Sequence, residues 1–198
     1  MRRVILVAVI CAVLIGVAVF LIGAPKTSAG GGEDDRVVGT AQSDTRFGGS
    51  GVDLMVGRAG DDRLYGEANV DGLFGRTGDD TLDTGGVGGT ANGGPGEDEL
   101  YGGYGLDRLD GSSGDDRISS AAGDDRLEGG LGNDTIRGEG GNDSLFGESG
   151  RDTMFGGDGD DFIYAIDGTP GETVDCGPGA NDMASADEGD VVVNCEIN

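Results

Sequence analysis

The chain has 198 residues, a formal charge of −25, no histidine, no tryptophan, 44 glycines and 35% hydrophobic residues. So little apolar material excludes a thick globular core, and so acidic a surface excludes nucleic acid and anionic membranes as partners, because polyanions are held through basic patches. Without histidine no serine can be activated by an imidazole, so the chain reads as a non-enzyme whose natural partners are cations.

The first element is an export segment over residues 1–29. Met1-Arg2-Arg3 precede an uncharged apolar run from Val4 to Ile22, and Gly23-Ala24-Pro25-Lys26-Thr27-Ser28-Ala29 follow it. Two positive charges, an apolar run and small residues make a signal peptide, with cleavage after Ala29. The nineteen apolar residues are also long enough to remain as an uncleaved membrane anchor. Either alternative places the rest of the chain outside the cytoplasm, at the cell surface or in the medium, and touches a membrane only through this segment. Cys11 lies in the run without a lipoprotein context and reads as a small hydrophobe.

From residue 30 to 164 an aspartate recurs every nine residues without an insertion. The series is Asp35, Asp44, Asp53, Asp62, Asp71, Asp80, Asp98, Asp107, Asp116, Asp125, Asp134, Asp143, Asp152 and Asp161, and Gly89 alone breaks it. Glycine stands five and two places before most of these aspartates and an aliphatic residue two places after, as in Gly129-Gly130-Leu131-Gly132-Asn133-Asp134-Thr135-Ile136-Arg137. Glycine at this level indicates disorder unless the chain is periodic, and with a strict period it indicates a solenoid. Strand alternation predicts a short strand after each aspartate, its middle side chain turned inward, and a glycine-rich turn before it. The inward positions are Val37, Met55, Leu64, Leu73, Leu82, Ala91, Leu100, Leu109, Ile118, Leu127, Ile136, Leu145, Met154 and Ile163, with Arg46 a misfit. Arg36, Arg63, Arg108, Arg117 and Arg126 fall on outward strand positions, where they are expected to neutralise nearby carboxylates. The outward rings Phe47, Tyr65, Phe74, Tyr101, Phe146, Phe155 and Tyr164 are expected to stack along the sheet one coil apart, or to form a binding patch.

Residues 165–198 lose the period. A strand is predicted at Val191-Val192-Val193 and a turn at Cys176-Gly177-Pro178-Gly179. Cys176 and Cys195 face an oxidising compartment and are expected to form a disulfide, worth about 3 kcal/mol in the loop-entropy model. The segment reads as a disulfide-closed cap, which shields the last coil from end-to-end association.

The turns carry the chemistry. Glycine permits positive φ and close backbone approach, so carbonyl oxygens can converge, and aspartate adds hard anionic oxygen. Calcium takes six to eight oxygens in flexible geometry, and the repeats offer nothing softer.

A repeated Gly-Gly-x-Gly-x-Asp-x-aliphatic-x unit resembles the RTX, or hemolysin-type, calcium-binding nonapeptide repeats. The copies of highest fidelity are Gly57 to Tyr65, Gly93 to Tyr101, Gly102 to Asp110, Gly129 to Arg137, Gly138 to Phe146 and Gly156 to Tyr164. The resemblance implies an all-β, right-handed parallel β-roll over residues 30–164, with two repeats per coil. That gives about seven to eight coils and a length on the order of 36 Å. It also implies several Ca2+ ions, each between turns one coil apart and held by two aspartates eighteen residues apart together with turn carbonyls. The ligands so implied are the side chains of Asp53, Asp62, Asp80, Asp98, Asp107, Asp116, Asp125, Asp134, Asp143, Asp152 and Asp161, with carbonyls near Gly96, Gly105, Gly114, Gly123, Gly132, Gly141, Gly150 and Gly159. Sites on either side of Gly89 are expected to be weak or empty, and glycines are missing around Asp44 and Asp71.

A thin aliphatic ladder cannot by itself offset the entropy of ordering so much chain, so folding is expected to depend on calcium. Relatives of this kind often carry a protease, lipase or toxin domain and leave the cell through an uncleaved C-terminal signal. Neither feature is seen here, so the chain reads as a stand-alone secreted repeat protein with a structural or surface role. An adhesin-like module that binds a glycan or another cell-surface polymer through the outward rings is the alternative.

Overall fold

A computed structural model of the protein describes residues 32–197. The export segment 1–29, with its alternatives of signal and anchor, and Cys11 lie outside the described residues. Those residues form nineteen strands and no helix, and no helix among them is long and apolar enough to cross a membrane.

Successive strands alternate between two parallel sheets, one of ten strands and one of nine, and every strand pairs with the strand two further along the chain. Two strands and two turns therefore make one coil of a β-solenoid with about nine turns. Inside the repeat block the register follows the doubled nonapeptide. Val37 lies against Met55, Leu64 against Leu82, Ile118 against Ile136 and Leu145 against Ile163. A parallel sheet normally needs both faces covered. Here one face of each sheet meets the other sheet, and the outer face carries polar, charged and aromatic side chains together with exposed aliphatic ones such as Leu54 and Val191.

Alternation along each strand builds the core. In Arg126–Leu131 the burial pattern changes from exposed Arg126 to buried Leu127, and in Thr135–Gly140 from Thr135 to buried Ile136. The inward residues from Met55 to Ile163 are all buried and form one continuous cluster, as the periodicity requires. Val37 packs against it from the first coil. Arg46 does occupy an inward position, at 8% exposure, and is matched by an ion pair to Asp44 at 2.7 Å. It sits on the edge strand Thr45–Ser50 of the nine-stranded sheet, where the ladder ends and a charge can still find its partner.

The two sheets continue past the last regular repeat. Strands Thr173–Asp175 and Val191–Val193 extend the nine-stranded sheet, and Met183–Ala186 and Glu196–Ile197 extend the ten-stranded one. The coil is no longer eighteen residues long there: Thr153 pairs with Thr173 and Phe162 with Met183. These insertions hide the coils from a nine-residue frame, yet Val174 and Ala184 prolong the buried ladder. The expected disulfide between Cys176 and Cys195 is formed and closes this end. Cys176 is itself part of the core.

Two turn positions require unusual backbone. The glycine two places before the aspartate has positive φ throughout, from Gly96 to Gly159, and a Cβ at Gly132 would collide with the carbonyl of Gly114 one coil earlier. The residue four places before the aspartate is also left-handed, and there the chain often lacks glycine: Arg58, Glu67, Arg76, Ser112, Ala121, Glu139 and Glu148 all have positive φ.

Candidate metal centre

The solenoid places its aspartates in two buried files, one along each turn edge. From Asp53 to Asp161 none is more than 4% exposed. In each file the carboxylate one coil on accepts the backbone amide of the aspartate before it. Asp62 Oδ1 accepts from Asp44 N–H, Asp80 from Asp62, Asp98 from Asp80, Asp116 from Asp98, Asp134 from Asp116 and Asp152 from Asp134, all at 2.7 or 2.8 Å. The second file runs the same way through Asp53 and Asp71, and again through Asp107, Asp125, Asp143 and Asp161.

This bond uses one oxygen of each carboxylate. The other is left over: Oδ2 of Asp53, Asp62, Asp71, Asp80, Asp98, Asp116, Asp125, Asp134, Asp143, Asp152 and Asp161 is buried without a hydrogen-bond partner. Unpartnered buried oxygens are costly and uncommon, and eleven at one repeat position amount to a design feature needing a counter-charge. All but that of Asp125 border the first glycine of their repeat. A Cβ at Gly57 would meet Asp62 Oδ2 together with the carbonyl oxygen of Gly75, and a Cβ at Gly129 would meet Asp134 Oδ2 together with that of Gly147. The first-position glycine therefore keeps open a space bordered by a bare carboxylate oxygen and a carbonyl from the next coil. The carbonyls predicted as ligands, at the fourth position, stack in their own file, with Gly114 oxygen against Gly132 and Gly132 oxygen against Gly150.

The electrostatics agree. Burial pushes Asp98, Asp134 and Asp143 up to about 7, and Asp62, Asp71, Asp80 and Asp116 up to about 6, from an ordinary 3.8. Neighbouring carboxylates add to the effect, and the amide one coil away partly offsets it. Asp125, Asp152 and Asp161 are raised for the same leading reason. Among the described residues no three acidic side chains converge as a metal cluster. A cation here would draw on one or two carboxylates and complete its shell with backbone carbonyls, a donor set that fits a hard, oxygen-seeking ion with flexible geometry.

The interruption at Gly89 is legible in atoms. With no aspartate at that position, Thr84 reaches across to donate from Oγ1 to Asp107 Oδ1 at 2.8 Å, and the Gly103 amide takes Asp107 Oδ2 at 3.0 Å. Asp107 therefore has no bare oxygen, unlike the other predicted aspartates. Asp44 is likewise engaged, by Thr40 and Arg46. Ser120 replaces the first glycine of another repeat and donates to the Gly138 carbonyl, on the edge where Asp125 stands. Conversely Asp71, which lacks the glycine two places before it, accepts the Asp53 amide at 2.8 Å and keeps a bare Oδ2, although Gly89 one coil on offers its own amide no carboxylate. Asn69 adopts the left-handed φ that glycine supplies elsewhere, and asparagine tolerates that region better than most residues. An asparagine two places before the aspartate was the available signal.

On the outer faces four of the seven expected rings pair one coil apart, whereas Phe74, Tyr101 and Phe155 have no ring beside them in the register. Phe47 lies flat on Tyr65 with centroids 5.1 Å apart, and Phe146 tilts against Tyr164 and Phe162. Arg126 covers the Phe146 ring and Arg137 covers Phe155. Only Arg108 and Arg126 of the five outward arginines neutralise a carboxylate within ion-pair distance, both on Glu128. Arg36, Arg63 and Arg117 form none among the described residues, Arg117 even though the register sets it beside Glu99.

No curated protein matches the chain. A family model for the RTX calcium-binding nonapeptide repeat matches residues 47–82, 84–118, 92–127, 119–154 and 128–163, which together span more than half of the sequence. Two files of buried aspartates on a parallel β-solenoid, in the frame that this model describes, make the chain a member of the RTX calcium-binding nonapeptide-repeat family.

Proposed function

We propose that the protein is an exported, stand-alone repeat protein whose solenoid folds as calcium enters the two aspartate files, and whose product is the rigid calcium-bound rod itself. The observation that carries this reading is the row of buried Oδ2 atoms without a partner. Bound calcium supplies the positive charge that lets these carboxylates stay ionised inside the turns. The chain's own part is to hold one oxygen of each carboxylate on a backbone amide, so that the other is aimed in advance. On this reading Asp53, Asp62, Asp71, Asp80, Asp98, Asp116, Asp134, Asp143, Asp152 and Asp161 are ligands with neighbouring turn carbonyls. Asp125 is a weaker one because of Ser120, and Asp107 is none. Export through residues 1–29 is consistent with the disulfide, which persists in oxidising compartments.

Calcium titration of residues 30–198 followed by far-UV circular dichroism tests the reading. A cooperative gain of β signal between sub-millimolar and millimolar calcium is expected, in the range of extracellular modules. A fully formed β spectrum in calcium-free buffer at pH 8 would overturn it.

The adhesin-like alternative draws on the outer face around Tyr101, Arg117 and Arg137, which with Ile118, Ser119 and Thr135 line an open groove of about 270 Å³. Binding to a glycan array that is lost on changing Tyr101 and Arg137 would favour it.

A further inference from the structure

Glu172 is built into the solenoid as the repeat aspartates are, although neither the nonapeptide frame nor the family match reaches it. It is 1% exposed. Its Oε1 accepts the backbone amide of Asp152 at 3.3 Å, the relation by which Asp152 itself accepts from Asp134. The Thr173 amide in turn donates to the Asp152 carbonyl, as Thr153 does to that of Asp134. The file goes on, since Glu172 N–H donates to Asp190 Oδ1 at 3.1 Å. Glu172 thus follows Asp152 in the same file, displaced because this coil carries inserted residues. A glutamate there has one more methylene with which to reach back across the wider turn.

Two oxygens at this point have nothing to bind. Glu172 Oε2 and Asp152 Oδ2 are both buried without a hydrogen-bond partner, and the Asp152 amide, which donates to Glu172 Oε1 at 3.3 Å, ties the two residues together. No ion pair involves either residue among the described residues. The surrounding acids are already engaged: Asp167 holds Gly150 and Thr169, Asp187 holds Asp167 and Gly168, and Asp190 holds Gly171 and Glu172. Two buried carboxyl groups on hydrogen-bonded neighbours in one file are favoured by either a shared proton or a cation between them.

We propose that Glu172 and Asp152 hold a divalent cation, calcium in the first instance, in the closing coil beyond the nonapeptide repeats, with Glu172 Oε2 and Asp152 Oδ2 as its anionic ligands. The inference rests on the reading that the aspartate files take calcium. Its consequence is structural. The cation fastens the irregular closing coil to the last regular one, next to the Cys176–Cys195 disulfide.

The test counts calcium ions by native mass spectrometry on the full chain and on Glu172→Gln, and compares the rate at which a thiol reduces the disulfide with and without calcium. Glu172→Gln is expected to carry one ion fewer and to lose the slowing of reduction by calcium, while the calcium-induced β signal of the repeats persists. If the unchanged chain binds no calcium, the reading of the whole molecule fails and this inference with it. If the unchanged chain binds calcium and Glu172→Gln keeps the same ion count and the same protection, the inference alone falls. Should Glu172→Gln fail to fold, hydrogen exchange in the unchanged chain decides. The Asp152 and Thr173 amides must gain protection as calcium is added at pH 8, and protection that appears only on acidification, without calcium, would establish a shared proton and overturn the proposal.

Discussion

At the scale of single residues, the aspartate carboxylate is divided between two tasks, and the division separates aspartates that look alike in sequence. Asp134 gives one oxygen to the Asp116 amide and leaves the other bare, whereas both oxygens of Asp107 are hydrogen-bonded. Asp134→Asn should therefore remove a ligand and raise the calcium concentration at half-folding several-fold. Asp107→Asn should move it little. Calcium titrations of the two variants side by side check the contrast, and equal effects would remove the distinction between them. The left-handed turn position offers a second case. Ala121 has φ of 75° and an exposed side chain, and a left-handed conformation costs a non-glycine residue about 1–2 kcal/mol. Ala121→Gly relieves that strain but frees the unfolded chain, so a net gain of ~0.5–1 kcal/mol is expected in calcium-saturated denaturation.

At the scale of the element, each coil is a strand, a turn, a strand and a turn, held to its neighbours by the ladder, the aspartate file and the aliphatic core. The coil around Gly89 shows how these parts depend on one another. The missing aspartate is accompanied by Thr84 in place of the first glycine, and a Cβ at Gly89 would lie 2.7 Å from the Asp71 carbonyl oxygen and 2.9 Å from Thr84 Cβ. Gly89→Asp alone should therefore destabilise the roll. Combined with Thr84→Gly, which removes the side-chain clash, lets the backbone shift away from the Asp71 carbonyl and frees Asp107 Oδ1, it should complete the broken file and add at least one bound calcium ion. Ion counts on the single and double variants check this, and a double variant with no additional ion would show that the gap is set by the backbone instead.

At the scale of the whole molecule, the balance of charge controls when the rod can exist. Seven of the file aspartates have folded-state values near 6 or 7 against an ordinary 3.8. A carboxyl whose value is raised by folding binds protons more tightly in the folded than in the unfolded chain. Its stabilising contribution is thus full below about 4 and lost as the pH rises through 6 to 7. Calcium-free protein should accordingly gain β structure on acidification from pH 8 to pH 5 and lose it on return. With millimolar calcium the order is reversed, because the cation requires ionised carboxylates and protons displace it. Circular dichroism across this range, with and without calcium, checks both signs.

The nine-residue spacing established the solenoid and the inward ladder from Met55 to Ile163, and the resemblance to the RTX repeats added the pairing of residues eighteen apart and the two acidic files, because in a parallel coil the period of the sequence is the period of the contacts. Even the break at Gly89 was legible. Two things were settled only when the coils were stacked. Which carboxylate oxygens stay bare depends on donors that arrive from another coil, as Thr84 does at Asp107 and as the Asp152 amide does at Glu172. The coils beyond residue 164 have inserted turn residues that erase the period while backbone pairing to Thr153 and Phe162 preserves the register. Hydrogen bonding tolerates a longer turn, and a fixed frame does not.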